Sequence, residues 1–138
     1  MPKTVVIIDD DSDDLEIMRD ALAHIDPSFL CMGFGYPDEA IQLLSNEMIL
    51  LPDYIFIDFN IPRISGHECL LQLRAIPEFS NIPIIMYSTS MPAKVADVLT
   101  RDGASFTFQK PFGFDDYISI LKQIVFNSFS HSNRRPEN

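Results

Sequence analysis

The chain has no tryptophan, two cysteines and five glycines in 138 residues, and acidic residues outnumber basic ones two to one. Each shortage excludes something. Cys31 and Cys69 sit inside apolar segments with no metal-ligand spacing, so they read as reduced core thiols, not as a disulfide framework or a zinc site. Ten Lys plus Arg against twenty Asp plus Glu leave a formal net charge of -10. That balance disfavours nucleic acid and anionic membranes and suits basic partners and divalent cations. No apolar run approaches the ~18 residues of a membrane span. The run Val5–Ile8 stops at Asp9-Asp10-Asp11, too soon for a secretory leader. The cytoplasm is the expected compartment.

What is present is apolar and regularly punctuated. Hydrophobic residues make up 46% of the chain, with 11 Phe, which is incompatible with a disordered chain. The length suits one domain, able to bury roughly two-thirds of its unfolded surface. Neither internal repeats nor low-complexity stretches interrupt it.

Short β-branched runs alternate with amphipathic ones. Strands are expected at Thr4–Ile8, Phe29–Gly35, Tyr54–Ile57, Ile82–Tyr87 and Ser105–Gln109. Between them run helical patterns. The first places Leu15, Met18, Leu22 and Ile25 on one face, behind an acidic turn at Asp13, Asp14 and Glu16 that suits the helix dipole. Pro37 opens the second, with Ile41, Leu44 and Met48. Ser65 and Glu68 form a capping box ahead of Leu70, Leu71 and Leu73. Pro92 opens the fourth, which Gly103 stops, and the last runs from Phe114 to Val125. Apolar strands alternating with helices predict a doubly wound α/β domain, a parallel sheet covered on both faces. The domain is expected over residues 1–127, with residues 128–138 a short polar tail.

In such a sheet, ligands bind beyond the carboxyl ends of the strands. Those ends supply Asp9 and Asp10, Asp58, Ser88 and Lys110. Singly, each has an ordinary explanation: a solvated helix start, a turn residue, a strand exit. Their convergence on one edge does not. Two carboxylates ~4 Å apart repel by roughly 4 kcal/mol at an effective dielectric of 20, so three either take up protons or hold a cation. Oxygen donors without His or Cys select a hard ion, and Mg²⁺ fits best. With a hydroxyl and an ammonium added, these are the parts for phosphoryl transfer. Asp58, at the end of a central strand, is the candidate nucleophile.

These residues resemble the receiver domain of two-component response regulators, the CheY-like family. The resemblance spans Thr4 to Val125. It rests on four blocks in order: Val-Ile-Ile-Asp9-Asp10, Asp58-Phe-Asn-Ile-Pro62 with Gly66, Ser88-Thr89, and Lys110-Pro111-Phe112. It implies a flavodoxin-like, five-stranded parallel sheet of order 2-1-3-4-5 with five helices on both faces. By position, Asp58 would accept a phosphoryl group from a sensor histidine kinase or histidine phosphotransfer protein. Asp9, Asp10, Asp58 and the backbone carbonyl of Asn60 would hold Mg²⁺. Ser88, with Thr89 beside it, and Lys110 would contact phosphoryl oxygens, and a cis peptide would precede Pro111. The partner surface would be the fourth helix, fifth strand and fifth helix, with Val95, Phe106 and Tyr117 contributing; a homodimer is left open.

One position departs from the family. Three residues before the lysine, where an aromatic switch is usual, stands Thr107, flanked by Phe106 and Phe108. Two other readings therefore stay open. One is a degenerate receiver that binds a partner without phosphorylation. The other is a phosphatase of the haloacid-dehalogenase type, which wants an acid two residues after its nucleophile; Asn60 stands there. His24, His67 and His131 lack a kinase-like setting, so the chain is expected to receive phosphate, not to originate it.

Overall fold

Parity along the strands organises the molecule. The computed structural model describes residues 2–46, 51–61 and 64–126. Its strands are β1 (Thr4–Ile8), β2 (Leu30–Phe34), β3 (Tyr54–Asp58), β4 (Ile84–Ser88) and β5 (Phe106–Gln109). Between and after them come α1 (Ser12–Ile25), α2 (Pro37–Leu44), α3 (Gly66–Arg74), α4 (Ala93–Arg101) and α5 (Phe114–Phe126). All strand pairs are parallel, in the order β2-β1-β3-β4-β5. This is the CheY-like flavodoxin architecture that the sequence predicts.

Successive side chains in a strand point to opposite faces, and each face has its own core. Val6, Ile8, Ile55, Ile57, Ile84 and Met86 pack with residues of α2, α3 and α4 such as Ala40, Leu70 and Leu99. Val5, Ile7, Phe56, Ile85, Tyr87 and Phe108 pack with Met18 and Leu22 of α1 and Leu121 and Ile124 of α5. Tyr87 and Phe56 are among the largest fully buried side chains. Burying such a side chain is worth about 1.5–3 kcal/mol, so these two layers carry most of the sheet's adhesion.

Several boundaries differ from expectation, each for a local reason. β4 begins at Ile84 instead of Ile82. A 3₁₀ turn at Pro77–Phe79 leads in, Ile82 N–H bonds Phe79 O at 3.1 Å, and Pro83 has no N–H to donate. α1 starts earlier than Asp13 because Asp11 caps it, accepting from the N–H groups of Asp13 and Asp14. α2 ends at Leu44; Met48 lies outside the described residues, as do Pro62, His131 and the expected tail. Gly103 stops α4 as predicted, at φ +121°, a conformation that side chains with a Cβ rarely adopt. Cys69 is buried, Cys31 half-buried, and both are free.

Candidate functional site

The same parity builds the site. Asp9 continues the Val5, Ile7 series, Asp58 ends the Tyr54, Phe56 series, and Lys110 continues the Phe106, Phe108 series. All three therefore leave the carboxyl edge of the sheet on the face that α1 and α5 cover. Asp10 lies one residue on and is exposed, whereas Asp9 and Asp58 are buried. Carboxylate oxygens of Asp9, Asp10 and Asp58 all lie within 4.8 Å of one another.

Each buried group has a defined set of donors. Asp9 is fully inaccessible; its Oδ1 accepts from the Asp11 N–H at 3.0 Å and its Oδ2 from the Tyr87 hydroxyl at 2.7 Å. Burial pushes the Asp9 carboxyl up to about 6 against those two bonds, and the neighbouring Asp58 charge adds to the rise. Asp58 Oδ1 accepts from the Asn60 N–H at 2.9 Å. Its Oδ2 accepts from Lys110 Nζ at 2.8 Å. That ammonium also donates to Asp14 Oδ2 at 2.6 Å and stands 3.4 Å from Asp9 Oδ2. Burial alone would lower the lysine's pKa; the bonds to Asp14 and Asp58 outweigh it and hold Lys110 above the ordinary range.

The acceptor loop is held from behind by Gly66. A Cβ there would collide with the Asp58 carbonyl oxygen and come within 2.7 Å of Phe59 Cα. The Gly66 N–H bonds Phe59 O at 3.1 Å, and Ser65 caps α3 through the Glu68 N–H at 3.1 Å. Glycine is thus required by close approach of two backbones. The cap foreseen at Ser65 places it there, while the Glu68 carboxylate accepts from Gln72 Nε2 at 3.4 Å.

Ser88 has the opposite parity and reaches the site through Asn60. Asn60 Nδ2 donates to Ser88 Oγ at 3.0 Å, and the Ser90 N–H approaches the same oxygen at 3.4 Å. With its oxygen so occupied, the hydroxyl proton is free to point at an anion. Thr89 is exposed and lines a cleft of about 590 Å³ together with Asp14, Lys110, Phe112 and Phe114. Phe112 is fully exposed beside it.

Some expectations are corrected. No cis peptide bond occurs among the described residues, so Lys110–Pro111 is trans. Trans is the lower-energy isomer even before proline, by about 0.5–1 kcal/mol, and in it Lys110 already reaches Asp58. Tyr117 is only 4% exposed and packs in the core, reaching the surface just where it lines that cleft. Neither Phe106 nor Phe108 lies on the face of the sheet that Thr107 occupies. Both pack toward α1 and α5, whereas Thr107, paired with Met86, has the opposite parity. Phe108 instead stacks on Tyr87, with ring centroids 5.4 Å apart. His67 pairs with Asp102 at 2.7 Å.

Two site residues escaped the sequence reading. Asp14 looked like a helix-dipole acid, and Tyr87 was only the last residue of an expected strand. The available signals were weak: an acid on the first turn behind the strand-end pair, and strand parity matching that of Asp58.

A family profile for the response regulator receiver domain matches residues 5–122, and the chain belongs to that family. It is therefore a receiver domain of two-component signalling. It is 25% identical to the polar-differentiation response regulator DivK of Brucella anthropi, over 91% of this chain and 98% of that one. Among solved structures, the phosphorylated cyanobacterial phytochrome response regulator RcpA superposes with a TM-score of 0.82 at 20% identity, covering 93% of this chain and 96% of that one. The Mn²⁺-bound response regulator Rcp1 gives 0.79 at 17%, covering 92% and 96%. The chain spans only 6% and 51% of the first two curated relatives it matches. No helix among the described residues is long and apolar enough to cross a membrane.

Proposed function

We propose that this chain is a phosphorylation-switched receiver that takes a phosphoryl group on Asp58 from a phosphohistidine. The observation carrying this is the Asp58–Lys110 contact at 2.8 Å inside the acidic cluster. A buried nucleophile and a fixed ammonium meet there, and Lys110 also borders an open cleft that it shares with Asp14 and Thr89.

The step balances as an in-line displacement. A carboxylate oxygen of Asp58 attacks phosphorus and the O–P bond forms. The P–N bond to the imidazole breaks, the electron pair goes to the ring nitrogen, and that nitrogen picks up a proton. The Asn60 N–H fixes one Asp58 oxygen, and Lys110 offsets charge on the transferred group. The Ser88 hydroxyl, its oxygen already engaged by Asn60, would donate to a phosphoryl oxygen. The all-oxygen set of Asp9, Asp10 and Asp58, joined by the Asn60 carbonyl, fits Mg²⁺. When bound, that ion would offset the negative charge of carboxylates and phosphoryl oxygens together.

Donors of the fitting chemistry are a sensor histidine kinase or a histidine phosphotransfer protein. Signalling would follow through altered contacts with a downstream protein in the cytoplasm. The phosphatase alternative is disfavoured because Asn60 brings an amide where a general acid is needed, and that amide is bonded to Ser88. The phosphorylation-independent alternative draws support from Thr107 alone.

Incubation with acetyl phosphate and Mg²⁺, read by intact mass, tests the proposal. One phosphoryl group on the wild type, absent from Asp58→Ala and from an EDTA control, is the expected result. No adduct and no beryllofluoride binding would overturn it in favour of the phosphorylation-independent scaffold.

A further inference from the structure

Lys110 makes its two good hydrogen bonds to carboxylates of different kinds. One, at 2.8 Å, goes to the acceptor Asp58; the other, at 2.6 Å, goes to Asp14, which belongs to neither the acceptor nor the metal set. Asp14 is held in place independently of the lysine. It sits on the first turn of α1, where its N–H bonds the Asp11 side chain at 3.3 Å and the positive end of the helix favours its charge. The Asp14 side chain is 22% exposed, against 7% for Asp58 and 9% for Lys110. Water can therefore solvate Asp14 without the lysine's help.

An ammonium carries one charge and three donors. A phosphoryl group on Asp58 would bring up to about two further negative charges to the edge, all seeking that ammonium. The Asp14 bond both occupies a donor and holds Nζ toward α1. Resting on the receiver reading above, we propose that Asp14 is a positioning residue that competes with the phosphoryl group for Lys110, and so weakens the phosphorylated state.

Beryllofluoride titrated into the purified chain with saturating Mg²⁺, read by calorimetry, tests this without any turnover. Asp14→Asn keeps the shape and removes the charge. Since a charge-assisted hydrogen bond shifts an equilibrium by tenfold or more, Asp14→Asn is expected to bind the mimic on the order of tenfold more tightly. Asp14→Glu, which restores the charge, is expected to move affinity back toward wild type. The Asp14→Asn gain should vanish in a Lys110→Met background, measured at raised beryllofluoride concentration. A gain that persists there would overturn the proposal in favour of direct repulsion between Asp14 and the anion. Unchanged or weaker binding by Asp14→Asn, in protein whose thermal melt shows it folded, would also overturn it: Asp14 would then be passive or a needed anchor. Wild type that binds no beryllofluoride at all would instead sink the receiver reading itself, which keeps the two failures distinct.

Discussion

The Tyr87 hydroxyl donates to Asp9 Oδ2 at 2.7 Å where neither residue reaches solvent. Tyr87 is thus the floor of the acidic cluster as well as core: its ring stacks on Phe108 and lies 5.1 Å from Lys110 Nζ. Tyr87→Phe preserves the stack and deprives a buried carboxylate of a donor. The expected cost is about 1–3 kcal/mol of stability, measured by urea unfolding of metal-free protein.

Gly66→Ala should injure the acceptor directly. The new Cβ meets the backbone of Asp58 and Phe59, which has no rotamer by which to yield. Overpacking of this kind costs about 1–3 kcal/mol. Thermal melting should show the loss, and slower phosphoryl uptake by intact mass should accompany it, because relief requires moving Asp58.

Arg74 offers the complementary case, at the far edge of the sheet. Its guanidinium donates to Phe79 O at 2.7 Å, Gly103 O at 2.9 Å and Ser105 Oγ at 3.3 Å, tying α3 to the turn that enters β5. Arg74→Met keeps the stem and takes a charged donor from each acceptor, though Phe79 O keeps the Ile82 N–H and Ser105 Oγ the Ile84 N–H, at an expected cost of about 1.5–3 kcal/mol. Phosphoryl uptake by the protein that remains folded should not change. A large loss of uptake at equal foldedness would show that this edge is coupled to the acceptor.

Divalent cation should stabilise the fold by binding the native cluster alone. At [Mg²⁺] of 100 times its Kd the linkage gain is about 2.7 kcal/mol. Removing Asp10, the exposed member of the trio, by Asp10→Ala should erase most of the Mg²⁺-dependent rise in Tm. Scanning calorimetry with Mg²⁺ and with EDTA checks it.

The Asp102–His67 pair sets a small acid-side dependence. His67 bonding holds the Asp102 carboxyl below its ordinary value of 3.8. A depressed folded pKa contributes stability that is present above the unfolded value and lost as pH falls through the folded one. Asp102→Asn should therefore lower the Tm plateau above about pH 4 slightly and converge on wild type at lower pH, which flattens the acid-side fall.

Much of this was legible in the sequence because it is written in local patterns. Strand runs such as Val5–Ile8 and Tyr54–Ile57, the Ser65–Glu68 cap and the Gly103 stop each follow from a few neighbouring residues, and strand ends place Asp9, Asp58 and Lys110 on one edge. The start of β4 was misplaced because it turns on which carbonyl Ile82 N–H finds, a contact with the preceding turn that apolarity does not report. The cis bond at Pro111 was expected from resemblance, and no local pattern in this chain required it.

What the sequence by itself determined is the alternation of elements, the family, and the set of residues at the carboxyl edge. Tertiary structure alone decided how those residues share their charges. Asp14 meets Lys110 across 96 positions and Tyr87 meets Asp9 across 78, distances at which no periodicity constrains geometry. It also decided that Phe106 and Phe108 turn away from the side of Thr107. One-residue parity in β5 fixes that face only once its pairing with β4 and the packing of α1 and α5 are in place.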